Sequence, residues 1–450
     1  MALVAKTLAG FLIALCLSFE SASAATTHYV PDDFATIQAA LDMATNGDMI
    51  VVRDGTYAGA GNKNLDFDGK AIYLRSENGP ANCIIDCQHD GRAFAFHSGE
   101  TPESVLDGFT ITKGLTQYSG VFPDGWGAGI LCYRSSPTIK NCVITGNQSI
   151  GTDSGSGAGI SCYLNASPII VNCLVASNSG VWGGGIYCNF SSSPNISNCT
   201  ITGNFARGGG GIYTANQSWP TITDSILWDN SATYGLEIEV VQDSDLTVAY
   251  SDVKGGPAAA LVQSDSTLHW DVGNIVSDPF FIFGPLGEYY LSQSAASQPA
   301  DSPCVNAGSD TAANLGLAIL TTRTDHVPDT DTADMGYHYG RDSSLTRISL
   351  VSPSKLSTLS APPAFSWRAL GGEQNSFAID LSLLPGFKDY WSTHNNLHET
   401  IQAESWTMPL SVWNMIPSGT RVYWRVRGAD LSEDPLRIIR SNQIWSFIKQ

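Results

Sequence analysis

Glu237 and Glu239 stand two residues apart in a strand-like run, so their carboxylates fall on one face of it. Such a pair could act as acid and base in glycoside chemistry, or could simply face solvent. Asp224 and Asp229 are also close, but Asp224 occupies a column of bend-forming residues and reads as structural. Asp325, Asp329, Asp331 and Asp334 crowd together with Gly336 behind them, a weak candidate Ca2+ site. They lack the spacing and closing Glu of an EF-hand loop, so a solvated acidic turn is the preferred reading and no cofactor is firmly predicted. A last group is aromatic. Tyr187 and Tyr213 share one outward column, Tyr133 and Tyr163 a neighbouring one, and Trp126 and Trp182 each precede a glycine triplet. Flat rings along a rigid wall could stack on sugar rings or dock a protein, or could merely cover neighbouring turns.

The elements that position these residues are repeats. Gly127-Ala-Gly-Ile-Leu-Cys132, Gly157-Ala-Gly-Ile-Ser-Cys162, Gly183-Gly-Gly-Ile-Tyr-Cys188 and Gly209-Gly-Gly-Ile-Tyr-Thr214 start 30, 26 and 26 residues apart. Each is followed by a Pro and a second core ending at Cys142, Cys173, Cys199 or Ser225, and each unit closes on Asn147, Asn178, Asn204 or Asn230. A fixed period in this range marks a solenoid, and the period-two alternation inside each unit marks strands. Asn141, Asn172, Asn198 and Asp224, with Gly108 earlier, tolerate a left-handed backbone and place a sharp bend between two strands. Amides stacked there could form a ladder, and the glycine triplets a second bend. Like residues then lie over like at about 4.8 Å. Ile130, Ile160, Ile186 and Ile212 form one inward column; Cys132, Cys162 and Cys188, and Cys142, Cys173 and Cys199, form two more. Replacement by Thr214 and Ser225 says that the cysteine sites want small side chains. Stacked cysteines could still oxidise, but no Cys-x-x-Cys occurs and no His lies between residues 98 and 268, which argues against a metal.

Composition narrows the class. The chain of 450 residues has only 14% charged residues yet a net charge of −19, which argues against nucleic acid and makes anionic polysaccharide an awkward ligand unless a cation bridges it. Lys6, the apolar Leu12 to Leu17 and the Ala22-Ser23-Ala24 pattern read as a cleavable signal peptide over residues 1–24. The expected protein is therefore exported, secreted or at the cell surface, without a transmembrane segment. Of ten cysteines, Cys16 leaves with the signal, and the remaining nine are an odd number.

Several segments carry a resemblance. Val30-Pro-Asp-Asp-Phe-Ala-Thr-Ile-Gln-Ala-Ala-Leu-Asp42, Gly47-Asp-Met-Ile-Val-Val52 and Gly55-Thr-Tyr57 resemble the opening of pectin-lyase-like β-helix proteins. Phe96-His-Ser-Gly-Glu100, Val105-Leu-Asp-Gly-Phe-Thr-Ile-Thr112 and the glycine-triplet coils are similar to bacterial right-handed β-helix repeat proteins, exported and mostly of unassigned activity. The Gly-Gly-x-Ile and Thr-Gly-Asn elements are similar to repeats of polymorphic outer-membrane adhesins, without their Phe-x-x-Asn signature. The resemblance covers roughly residues 28–340 and implies an all-β, right-handed parallel β-helix. Its expected parts are an N-terminal cap over 25–57, coils over 58–277 and a closing segment over 278–340 that covers the C-terminal coil. Within the cap, Asp32 or Asp33 is expected to cap a helix bearing Ile37, Ala40, Leu41 and Ala44. A polar linker, 341–345, leads to residues 346–450, whose alternating runs and Trp367 and Trp424 predict a small β-sandwich resembling a fibronectin type III domain.

Many members of the superfamily cleave acidic polysaccharides. A lyase needs cations or Ca2+ beside a base, but Lys113, Arg134, Lys140, Arg207 and Lys254 share no column, and the Arg-x-Pro-x-x-Arg pattern of pectate lyases is absent. The Asn-Thr-Asp and Gly-His-Gly elements of polygalacturonase-like hydrolases are absent too. The expectation is a non-catalytic binder of polysaccharide or of a cell-surface protein. The alternatives are a lyase or hydrolase, and a spacer.

Overall fold

A computed structural model describes residues 25–120, 123–151, 156–340, 347–370, 375–431, 438–441 and 443–450. The signal peptide expected over residues 1–24 and the linker at 341–345 lie outside the described residues. Residues 27 to 270 wind into an all-β, right-handed parallel β-helix with three walls. The ten-strand wall runs from Thr27–Val30 to Thr267–Trp270, the eight-strand wall from Gly55–Ala58 to Asp252–Val253, and the seven-strand wall from Phe94–Phe96 to Leu261–Val262. One coil visits them in turn through Thr138–Lys140, Val143–Thr145 and Ile160–Tyr163.

The columns stack without slippage. Ile130 pairs with Ile160, Ile160 with Ile186, Ile186 with Ile212 and Ile212 with Ile238, and all five are fully buried. Cys132, Cys162, Cys188 and Thr214 follow the same register two residues on. The nine cysteines from Cys83 to Cys304 are buried free thiols. The second cysteine column has a specific reason for small side chains. The Cys173 N–H points at Cys199 Sγ (3.4 Å), Cys199 N–H at Ser225 Oγ (3.1 Å) and Ser225 N–H at Ser251 Oγ (3.1 Å), so each side chain receives the backbone of the neighbouring coil. No thiol is expected to react with an aromatic disulfide reagent in the native protein, and all nine should react on unfolding without reductant. Cys188→Thr, which copies the next coil, should cost about 1 kcal/mol or less in denaturant unfolding, whereas Cys188→Leu should cost about 1–3 kcal/mol by overpacking.

Both predicted bends form. Asn141, Asn172, Asn198 and Asp224 all have φ between 48° and 53°. The first glycine of each triplet is also left-handed (Gly183, φ 61°), and a Cβ on the third, Gly185, would lie 2.6 Å from Gly211 O in the next coil. The amide ladder, however, is continuous in a different column from the one expected. In the bend column Asn172 Nδ2 reaches Asn141 Oδ1 (2.9 Å), but Asn172 also turns outward to another segment. The unbroken ladder is made by the residues that close each repeat. Asn147 Nδ2 donates to Asn178 Oδ1, Asn178 Nδ2 to Asn204 Oδ1 and Asn204 Nδ2 to Asn230 Oδ1, at 2.9–3.0 Å, and each upper backbone N–H donates to the same oxygen. These buried side chains bond only within their own and neighbouring coils, so they stack without interruption.

The N-terminal cap is the helix Ile37–Met43, with Ile37, Ala40 and Leu41 buried over the first coil. Its N-cap is Thr36, whose Oγ1 accepts from Ala39 N (3.3 Å), and neither Asp32 nor Asp33. Those two lie in the preceding turn and are engaged elsewhere: Asp33 accepts from Tyr29 N (2.8 Å) and Asp32 pairs with Arg53 (2.8 Å).

Residues 278–340 do not simply cover the last coil. They begin there, with Cys304 Sγ donating to Asp252 Oδ2 (3.2 Å), and then run back along the side of the eight-strand wall as a strap. Ser309 N and Oγ donate to the Asp224 carboxylate (2.6 and 2.8 Å), Tyr337 N to Thr200 Oγ1 (2.9 Å) and His338 N to Asn172 Oδ1 (2.7 Å). Asn172 Nδ2 returns a bond to His338 O (2.9 Å), so a side-chain amide pairs with the strap as a strand edge would. Tyr290, Tyr337 and Tyr339 pack there with Leu174 and Ala176.

Residues 347–450 form a small β domain. Arg347–Ser352, Ala364–Leu370 and Ser405–Thr407 make one sheet, and Ser357–Leu359, Trp445–Lys449, Arg421–Asp430, Asn375–Ser382 and Trp391–Ser392 make the other. Trp367 and Trp424, from opposite sheets, lie in their shared core, as their sequence context predicts.

Candidate functional site

The outer face of the seven-strand wall collects most of the singled-out residues. Register puts Leu131, Ser161, Tyr187, Tyr213, Glu239 and Leu261 in one outward column, and Tyr133, Tyr163, Asn189 and Ala215 in the next. Beside them a third column, Trp126, Ser156, Trp182 and Gly208, is joined by parallel bridges. It exists because each coil makes an excursion before reaching this wall. Strands Leu115–Gln117 and Gln148–Ile150 pair within the excursions, as do Phe205–Gly208 and Ser231–Tyr234.

The rings touch in two groups. Trp126 lies 5.4 Å from Tyr163 (27° between planes), Tyr133 lies 6.2 Å from Tyr163 (20°), and Phe190 meets Tyr163 edge-on at 5.2 Å. Tyr187 stacks on Tyr213 at 5.5 Å (11°), and Trp182 leans on Tyr213 at 5.3 Å. Arg134 lies over Tyr133 and Arg207 over Trp182, at 5.2 and 5.4 Å. Exposure separates the groups. Tyr187 and Tyr213, outward by register, are only 5% and 9% exposed because the excursions fold over them. Burial pushes the Tyr187 hydroxyl up to about 12 and raises that of Tyr213 as well. They are packing for the wall, not contact surface. Trp126, Tyr133, Tyr163 and Trp182 are half-buried, and Phe190, Phe205, Tyr118 and Tyr234 are exposed.

Comparison with known proteins agrees with this architecture. Residues 122–275 match the family described as right handed beta helix region. A crystal structure of pectate lyase Pel9A resembles the chain with a TM-score of 0.35 and 16% identity, covering 78% of this chain and 96% of that one. No curated protein matches.

The two glutamates of the β-helix part company. Glu237 continues the asparagine ladder: its carboxylate accepts from Asn230 N (3.2 Å) and Nδ2 (2.5 Å), as the next asparagine would. Glu239 faces outward beside Gly208 and Trp182, and its Oε2 has no hydrogen-bond partner among the described residues. Burial pushes both carboxyls up to about 7. They therefore form no acid–base pair. Asp224 holds the strap through Ser309, and Asp229 pairs with Lys254.

The four aspartates near the strap's end engage protein groups as well. Asp325 pairs with Arg323 (2.6 Å), and Asp329 Oδ2 accepts from Asp334 N (2.8 Å) and faces His338 Nε2 (2.9 Å). Asp334 accepts from Asn306 N (2.7 Å), Gln293 Nε2 (3.1 Å) and Thr322 Oγ1. Asp331 is exposed. Among the described residues, no three His, Cys, Asp or Glu side chains group as a metal site.

Sequence reasoning missed Tyr118, Phe190, Phe205 and Tyr234, which sit in turns and excursions outside the repeat's strands. The signal available was positional: Phe190 follows the Ile186–Asn189 strand directly, where Arg134 and Leu164 stand in earlier coils.

Proposed function

We propose that the protein is exported and binds carbohydrate, without cleaving it, through the open part of the aromatic wall. The observation that carries this reading is the run of adjoining rings Tyr133, Tyr163 and Phe190, rigidly spaced by the coils, with Phe190 42% exposed. Stacking needs only flat apolar faces, and the net charge of −19 favours neutral over acidic glycans. On this reading the C-terminal β domain, with its two sheets around Trp367 and Trp424, would be a fibronectin type III-like spacer or second binding unit. A cell-surface protein is the other partner of matching chemistry.

The hydrolase or lyase reading has one residue in its favour, Glu239, whose carboxyl burial pushes up to about 7. Two-carboxylate chemistry requires a second acid, and the carboxylate next along the segment, Glu237, is taken up by Asn230 N and Nδ2. A glycan array followed by product analysis separates these readings. Retention on neutral glycans without new reducing ends is expected. New reducing ends, or ultraviolet-absorbing unsaturated products from a uronate polymer, would establish an enzyme instead. Retention by protein ligands alone would establish adhesion.

A further inference from the structure

Glu239 stands out as a buried acid whose Oε2 has no hydrogen-bond partner among the described residues. It is the one carboxylate in the outward column of the seven-strand wall, and it is 6% exposed. Above it the adjacent strand presents Tyr213, and below it Leu261. Across it lies the excursion strand Phe205–Gly208. A Cβ on Gly208 would overlap Glu239 Oε2 and come within 2.6 Å of Trp182 Cζ3, so the carboxyl oxygen and the indole edge both close on the space that the missing side chain leaves over Gly208. The polar neighbour is Gly209 N–H, which also donates to Tyr234 O (3.0 Å). Among the described residues, the titratable groups around it are Tyr213 on the adjacent strand, Tyr187 one coil further, Arg207 over the Trp182 ring, Tyr234 on the neighbouring excursion, and Glu237 on its own segment, already bonded to Asn230.

A protonated carboxyl suits this place, and a carboxylate does not: a buried anion with one oxygen unpartnered must recover water. Gly208 and Trp182 close on this buried oxygen, so their movement away would admit water to it. We propose that Glu239 is a proton-controlled latch, which holds the 205–208 excursion and Trp182 down on the seven-strand wall when uncharged and releases them when ionised. Release would uncover the rings of Tyr213 and Tyr187 beside those already open. The latch goes beyond glycan binding and stands whether or not the wall binds a sugar.

The sign follows from the raised carboxyl. Its proton stabilises the closed wall fully below the ordinary glutamate range, and that stabilisation is lost as pH rises through about 7. The test is hydrogen exchange of the full chain, read by mass spectrometry at about pH 5.5 and about pH 8.5 and corrected for intrinsic rates, together with tryptophan fluorescence. Peptides spanning 205–212 are expected to exchange at least about tenfold faster at the higher pH, with the fluorescence moving through a transition near 7. Glu239→Gln, and Glu239→Met should the amide disturb folding, are expected to abolish both changes. Glu237→Gln should leave them in place, since the neighbouring carboxyl also titrates near 7 but belongs to the ladder. Wild type exchanging equally at both values, or a transition that survives in both Glu239 variants, would overturn the latch.

Discussion

Asn204→Ala is expected to destabilise the β-helix by roughly 3–5 kcal/mol, lowering the denaturant midpoint of its main unfolding transition. The side chain sits mid-ladder. Its Oδ1 accepts from Asn178 N and Nδ2, each at 3.0 Å, and its Nδ2 donates to Val175 O and Asn230 Oδ1, each at 2.9 Å. Truncation removes a partner from all four; Asn178 Nδ2 keeps Ile144 O and Asn230 Oδ1 keeps Asn204 N, whereas Asn178 N and Val175 O lose the side chain that served them. A lone lost hydrogen bond costs about 1 kcal/mol, but a buried group left unsatisfied costs about 1–3 kcal/mol, and here both kinds of loss add together. Asn204→Asp is expected to be worse than alanine at neutral pH. It would turn a carboxylate oxygen toward Val175 O and Asn230 Oδ1, which are acceptors themselves. A loss near that of an exposed asparagine, below about 0.5 kcal/mol, would mean that the ladder does not bind coil to coil.

Asn172→Asp should act differently, detaching the strap while the coils persist. The position keeps its left-handed backbone, φ 48°, which aspartate tolerates. The amide that donates to His338 O at 2.9 Å and to Asn141 Oδ1 at 2.9 Å becomes an acceptor facing two acceptors in a buried place. The expected cost is about 3 kcal/mol, concentrated in the segment that Asn172 holds. Limited proteolysis should therefore cut between residues 278 and 340 well before it cuts the coils, with a near-native far-ultraviolet spectrum retained. Simultaneous loss of strap and coils would show that the strap is part of one cooperative unit.

These two residues show what the sequence made legible and what it hid. The isoleucine, cysteine and glycine columns repeat at the coil period, and a repeat of side-chain volume is enough to read three walls and two bends. Two asparagine columns repeat at the same period, though, and composition does not say which amide points inward. Asn172 and Asn204 look alike in sequence, yet one holds an outside strap and the other an inside ladder. The strap's course was hidden for a related reason. Its partners are up to 166 residues away in the chain, with no local pattern marking Asp224, Thr200 and Asn172 as its track. The aromatic site was half legible. Alternation correctly placed Tyr187 and Tyr213 on the outer face, but the excursions that bury them are irregular in length and leave no period. Glu237 is instructive too, since it occupies the ladder's next rung only because no asparagine follows Asn230 at the proper spacing.

The central claim, a wall that binds sugar by its open rings and cleaves nothing, is tested most directly by calorimetric titration with the neutral oligosaccharide that the array selects. Wild type would be compared with Tyr163→Ala, Phe190→Ala and, as a control, Phe283→Ala, which removes a 79% exposed ring from strand Phe281–Gly284 of the strap. The expected result is about tenfold weaker binding, about 1.4 kcal/mol, for each ring removed from the wall. The strap variant should bind unchanged, and the oligosaccharide should be recovered intact. Equal affinity in wild type and both wall variants, or a shortened oligosaccharide in the cell, would contradict it.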